Sequence, residues 1–199
     1  VNVLRRALLM LALLGAASPA LAGDLPAVTE SDRYLGRADA PVTVVEYASL
    51  TCSHCAAWHT GVLPTFKARF IDTGKVRLVY RDLPTPPADV AATAAGVARC
   101  AAPERFFDVI GVLMTNQTML RAGGDISPWY DAGIAASGKT REQIEACLAE
   151  PSTIADLRAS VEGGRAAGVA GTPTFFVDGQ KVADGSMETL AAAVESAIR

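Results

Sequence analysis

Residues 41–49 (PVTVVEYAS) form a β-branched run of strand length, and after Leu50-Thr51 the hydrophobic period changes. From Cys52 to about residue 70, Trp58, Val62, Phe66 and Phe70 recur every four residues, as on one helix face, with Pro64 placed to kink the middle. Residues 76–82 (VRLVYRD) read as a second strand, and Pro84, Pro86 and Pro87 then break the pattern. The next stretch, to about residue 149, is rich in alanine and predicts successive helices, the clearest later ones over 104–114, 128–136 and 140–149. Thr140 with Gln143 makes a capping box for the last of these. Pro151-Ser152 opens a helix to about residue 167. Residues 174–177 read as a strand, Asp178-Gly179 as a hairpin turn, 180–183 as its partner strand, and Ser186 as the cap of a final helix. Residues 23–40, polar with Pro26 and Gly36, read as an extended lead-in. The order predicts an α/β domain over residues 41–199 with a helical insertion at about 85–150.

Composition narrows this picture. Half of the 199 residues are hydrophobic, enough for one domain with a sizeable core. The formal charge of −3 gives no basic footprint, so no nucleic-acid partner is expected. At the N-terminus, Arg5 and Arg6 precede an apolar run over 7–16 and the small-x-small site Ala20-Leu21-Ala22. That is the pattern of an export signal over residues 1–22, cleaved after about Ala22. Losing Arg5 and Arg6 takes the charge from −3 to −5. The four cysteines would then lie in an oxidising compartment, with three possible ways to pair.

Cys52-Ser53-His54-Cys55 opens the first predicted helix. One helical turn brings two cysteines at this spacing within disulfide reach. The first sits among unpaired N–H groups at the positive end of the helix dipole, which favours the attacking thiolate. Cys52 is therefore expected to be the nucleophile, and the deeper Cys55 to resolve the mixed disulfide. The His54 imidazole is expected to donate to, or carry charge near, the Cys52 sulfur. Stabilising the reduced thiolate makes the couple oxidising, so the motif points to a donor of disulfides. A zinc site needs four ligands, and the only histidines are His54 and His59. Cys100 and Cys147 lie far along the chain, and His59 reads as a helix-surface or packing residue. No metal and no separate cofactor are expected.

A second motif, Gly171-Thr172-Pro173-Thr174-Phe175, precedes a strand and an Asp-Gly turn. Proline at a strand mouth removes a ladder donor and fits a special geometry such as a cis bond. From about residue 41 to the C-terminus, with its early CSHC, helical insertion and TPTFFVDG, the sequence resembles the DsbA-like thiol–disulfide oxidoreductases of the thioredoxin-fold superfamily. The resemblance implies a thioredoxin fold, a central mixed sheet flanked by helices. It implies a cis Pro173 against the CxxC motif, a Thr172 backbone that receives an extended substrate strand, and a hydrophobic groove beside them. It also makes Glu46 a buried acid that assists proton transfer beneath the disulfide, with Arg81 a candidate to balance it. Implied partners are reduced exported proteins and a DsbB-like, quinone-linked membrane oxidase, for a periplasmic protein expected to be a monomer.

Pairing Cys100 or Cys147 with an active-site cysteine would consume the CxxC motif. The economical arrangement is Cys52–Cys55 with Cys100–Cys147 as a staple in the insertion, two separate buried thiols being the alternative. Characteristic DsbA oxidases carry Pro-His and Val where this chain has Ser53-His54 and Thr172. Thr before the cis proline also occurs in isomerases, so a disulfide isomerase or reductase stands as the alternative function. The roughly 18 residues between signal and first strand leave little room for the dimerisation domain of such isomerases. A thioredoxin-fold metal chaperone is the remaining alternative, disfavoured because no histidine follows His59.

Overall fold

The computed structural model describes residues 25–199; the export signal read over residues 1–22 lies outside them. The described residues contain one five-stranded mixed sheet, in the order β1-β3-β2-β4-β5. Here β1 is Arg33–Leu35, β2 Val42–Ala48, β3 Val76–Asp82, β4 Thr174–Val177 and β5 Gln180–Lys181. β2 and β3 run parallel, whereas β1 pairs antiparallel with β3 and β4 antiparallel with β2. Strand alternation sorts the side chains by face. Val42, Val44, Leu78, Phe175 and Val177 pack on one side with Trp58, Phe66, Phe70 and Leu190. Val45, Tyr47, Val79 and Phe176 pack on the other with Ala167 and Val169.

The helix read from Cys52 to about residue 70 is three segments: α1 (Ser53–Gly61), α2 (Leu63–Phe66) and a π-helical turn (Lys67–Ile71). Pro64 has no N–H to give, and it lies in the first turn of α2, where none is needed. After β3 come α3 (Ala88–Cys100), α4 (Phe106–Thr115), α5 (Thr118–Arg121), α6 (Ser127–Ala136), α7 (Arg141–Leu148) and α8 (Pro151–Ala166). The capping box at Thr140 and Gln143 is present. Asp178 (φ 44°) and Gly179 (φ 82°) turn the β4–β5 hairpin in the left-handed region that such turns require. The partner strand is shorter than expected, ending at Lys181. Ser186 accepts from the Thr189 N–H and caps α9 (Met187–Ala197). β1 falls inside the expected lead-in. Its three residues carry no strand-like alternation of their own and are ordered by pairing with β3.

Phe106, Val109, Ile110, Leu113, Trp129 and Ile144 build a helical layer whose core is continuous with Leu50 and Cys55. Trp129 donates its indole N–H to the Leu113 carbonyl at 2.9 Å, so a fully buried ring leaves no orphan donor. Gly96 lets α3 and α7 approach, since a Cβ there would collide with Leu148. One turn further on, Cys100 is bonded to Cys147 (S–S 2.01 Å), closing a separation of 47 residues. Arg99, also on α3, donates to the buried Asp82 carboxylate at 2.7 Å and fixes the helical layer to the end of β3.

Replacing Cys100 and Cys147 together by alanine is expected to reduce unfolding stability by about 4 kcal/mol on the chain-entropy model. Denaturant unfolding measures this, and a midpoint equal to that of the parent protein would refute a bracing role.

Candidate active site

β2 ends at Ala48, and Ser49 to Thr51 lead directly to Cys52, the N-cap residue of α1. Local hydrogen bonds fix this connection. Ser49 O accepts from Cys52 N at 3.1 Å, and Ser49 Oγ accepts from Thr85 N at 3.0 Å. Thr51 Oγ1 donates to Thr85 O at 3.0 Å, tying the loop to the Pro86–Pro87 turn, whose peptide bond is cis. From the helical layer, buried Gln117 donates Nε2–H to Leu50 O at 2.7 Å and to Cys52 O at 3.0 Å. The sequence offered no sign of Gln117, because its partners are main-chain atoms about 65 residues away.

The antiparallel β2–β4 pairing carries the second motif to the first. Thr172–Pro173 is cis, and the Cys52 thiol donates to Thr172 O at 3.2 Å. Cys52 and Cys55 are free thiols, the first half-buried and the second fully buried. Their proton affinities are driven apart. A hydrogen bond from the Cys55 thiol, opposed by burial and aided by Thr172 and the N–H groups of Cys55 and His54, lowers Cys52 from 9.0 to about 5. Cys55 moves far upward, through that same hydrogen bond, burial and the Glu46 carboxylate. The Thr172 hydroxyl is buried with no hydrogen-bond partner in the dithiol form, leaving it available to a Cys52 thiolate.

The His54 side chain is exposed, and its backbone N–H is among the groups that favour the Cys52 thiolate. Among the described residues, no hydrogen bond from the exposed His54 ring to the Cys52 sulfur is present.

Glu46 is completely buried, on the sheet face that meets α1. Its partner is His59, whose Nε2 lies 3.1 Å from both carboxylate oxygens. His59 is therefore buried rather than on the helix surface: its ring packs edge-on against Trp58 and Tyr80, and it also holds Glu46. Arg81 does not balance Glu46: it makes a two-pronged contact with Asp32, each hydrogen bond 2.9 Å. Alternation explains the difference, since Arg81 and Glu46 emerge on opposite faces, Arg81 beside Tyr47. Burial of Asp32 opposes its ionisation, but the Arg81 hydrogen bonds and charge prevail and lower its pKa.

A groove of about 480 Å³ opens beside Cys52 and Thr172, walled by Pro86, Pro87, Val90, Leu120 and Ile126. Among the described residues, no group of three or more His, Cys, Asp or Glu side chains is placed to hold a metal ion. No helix among them is long and apolar enough to cross a membrane.

The profile of the Thioredoxin family (Thioredoxin_4) matches residues 28–196. The chain belongs to this family. A relative from Rickettsia bellii, provisionally named a protein-disulfide oxidoreductase, is 31% identical over 86% of this chain and 66% of its own length. The chain thus spans just under two thirds of that relative. The fold matches oxidised BdbD from Bacillus subtilis (TM-score 0.78, 19% identity), covering 88% of this chain and 97% of that one. It also matches α-DsbA1 from Wolbachia pipientis (TM-score 0.73, 21% identity), covering 86% and 94%. The expected fold, a mixed sheet flanked by helices and DsbA-like in architecture, is the observed one.

A hydrogen bond to a charged acceptor contributes about 1.5–3 kcal/mol, or about one to two pKa units. Cys55→Ala and Thr172→Val are therefore each expected to raise the Cys52 midpoint by about one unit. His54→Ala, which keeps the backbone N–H, should shift it less. Ultraviolet thiolate absorbance against pH measures all three, and a larger shift in His54→Ala than in Thr172→Val would reverse the assignment of donors.

Proposed function

We propose that this protein is a thiol:disulfide oxidoreductase that introduces disulfides into exported proteins in the periplasm. The opposite displacement of the Cys52 and Cys55 proton affinities carries this reading. A client thiolate attacks Cys52 Sγ of the Cys52–Cys55 disulfide. The Cys52–client bond forms, and Cys55 leaves and takes a proton. A second client thiolate attacks the client sulfur of this mixed disulfide, and Cys52 leaves as a stable thiolate. The client has lost two electrons, which the enzyme holds as a dithiol. Low proton affinity makes Cys52 a good leaving group and drives the release of the client.

Thr172 and Pro173 supply the edge on which an extended client segment lies beside Cys52, and the neighbouring groove receives its apolar side chains. Glu46, whose carboxylate acts on Cys55, assists the proton movement at that sulfur, and His59 holds the carboxylate in place. Cys100–Cys147 remains outside the exchange as a brace. A DsbB-like, quinone-linked membrane protein would reoxidise the dithiol, and the exchange needs no cofactor besides the Cys52–Cys55 disulfide. Isomerisation by the same pair is the second reading, favoured by Thr172 before Pro173.

Pre-oxidised protein should oxidise a reduced two-cysteine peptide stoichiometrically and show an oxidising equilibrium with glutathione. A strongly reducing equilibrium without oxidation of the peptide would reject the reading, and faster repair of scrambled disulfides than their formation would favour the isomerase. The Cys52 pKa is depressed in the folded dithiol, so its stabilisation is complete above the unfolded value of 9.0 and is lost as pH falls through about 5. The glutathione reduction constant should consequently rise about tenfold per pH unit between about pH 6 and 8; a flat profile would contradict the acidic Cys52. Glu46→Gln should slow resolution of a Cys52 mixed disulfide by Cys55 while leaving the Cys52 midpoint in place, as rapid-quench alkylation would show.

A further inference from the structure

Two depressions flank the Cys52–Ser53 end of α1. One is the groove beside Thr172, and the other, of about 270 Å³, is walled mainly by Ala56, Ala57, Met114 and Thr118. Arg121 borders both, and among the described residues it is the only Lys, Arg, Asp or Glu lining either. The site is otherwise apolar or neutral, within a chain whose formal charge is negative.

The position of Arg121 is coupled to the reactive cysteine. Its Nη2 donates to Gln117 Oε1 at 3.2 Å, while Gln117 Nε2 donates to the Cys52 carbonyl at 3.0 Å. One fork of the guanidinium is thereby oriented from behind. Arg121 is exposed, and its one side-chain hydrogen bond among the described residues is to this neutral amide. Four other surface arginines have carboxylate partners: Arg37 with Asp39, Arg69 with Glu195, Arg105 with Asp108 and Arg141 with Asp131. Exposed Arg158, Arg165 and Arg199 have none among the described residues, but none of the three lines either groove. Arg121 presents its remaining donors to the grooves, and planar bidentate donors match a carboxylate.

We propose that Arg121 is a specificity-determining residue that selects reduced client segments carrying an aspartate or glutamate close to the attacking cysteine. This rests on the oxidase reading above. Arg121 lines the same groove as Cys52, and an extended client advances about 3.3 Å per residue, so we place the selected side chain two or three positions from the client cysteine. A carboxylate near the client cysteine disfavours that thiol's ionisation and is repelled by an acidic enzyme. Arg121 offsets both effects at the point of exchange, where the client thiolate attacks Cys52. A client lysine in the same place meets a like charge.

The test uses two reduced two-cysteine peptides that differ only in Asp or Lys two residues from the first cysteine. Each is oxidised by the pre-oxidised full protein at low ionic strength, and kcat/KM is compared. The parent protein should prefer the Asp peptide by about three- to tenfold, an effect reduced by salt. Arg121→Ala should remove the preference, Arg121→Glu should reverse it, and Arg121→Lys should restore its direction. Equal rates for the two peptides with the parent protein would overturn the proposal. So would slower oxidation of both by Arg121→Ala with the ratio preserved, the result of merely loosening α5 and Gln117. If the parent protein oxidised neither peptide, the oxidase reading itself would fail, and the proposal with it.

Discussion

The contact between Cys52 Sγ and the Thr172 carbonyl, 3.2 Å across 120 residues of chain, is the constraint around which the site is organised. It exists because β2 lies between β3 and β4. The parallel neighbour β3 ends beside β2, so the loop after it reaches the Ser49–Cys52 connection through Thr85. The antiparallel neighbour β4 begins beside that same end, so the residues just before it face the start of α1. Two loops and one helix N-terminus converge there, linked through the side chains of Ser49, Thr51 and Gln117 and the Cys52 sulfur itself.

That convergence makes two chemically identical side chains unlike. Cys52 is half-buried and faces N–H donors, a neighbouring thiol and a hydroxyl, all of which favour its anion. Cys55, one turn deeper, meets apolar packing and the Glu46 carboxylate, which favour its neutral form. The difference arises from position on a single helical turn, and it requires the turn to be held still. Gln117 provides part of that restraint by filling its amide valences with the carbonyls of Leu50 and Cys52. The helical layer thus touches the reactive loop through a side chain as well as forming a groove wall, and its Cys100–Cys147 bond and the Arg99–Asp82 pair tie that layer to itself and to the sheet.

Much of the architecture was legible in the sequence because its signals are local. β-Branched runs marked β2 and β3, an Asp-Gly pair marked the β4–β5 turn, and Thr140-Gln143 and Ser186 marked helix starts. Each acts through atoms within a few residues of one another. β1 was not legible, because three residues without their own pattern become a strand only when β3 is beside them. The π-helical turn at Lys67–Ile71 was likewise hidden inside a repeat that looked uniformly α-helical.

At the candidate active site, local spacing already set out the chemistry: two sulfurs three residues apart at a helix start, and a Thr-Pro pair ahead of a strand. Which groups act on those sulfurs was fixed by the fold. It left the His54 side chain exposed with its N–H favouring the Cys52 thiolate, gave Glu46 to His59 and Arg81 to Asp32, and brought Gln117 and Arg121 to the loop. The reason is physical. Spacing along the chain sets what a residue and its near neighbours can form, whereas partners for a buried charge or an unpaired carbonyl are chosen by strand order and by which face of the sheet each side chain leaves.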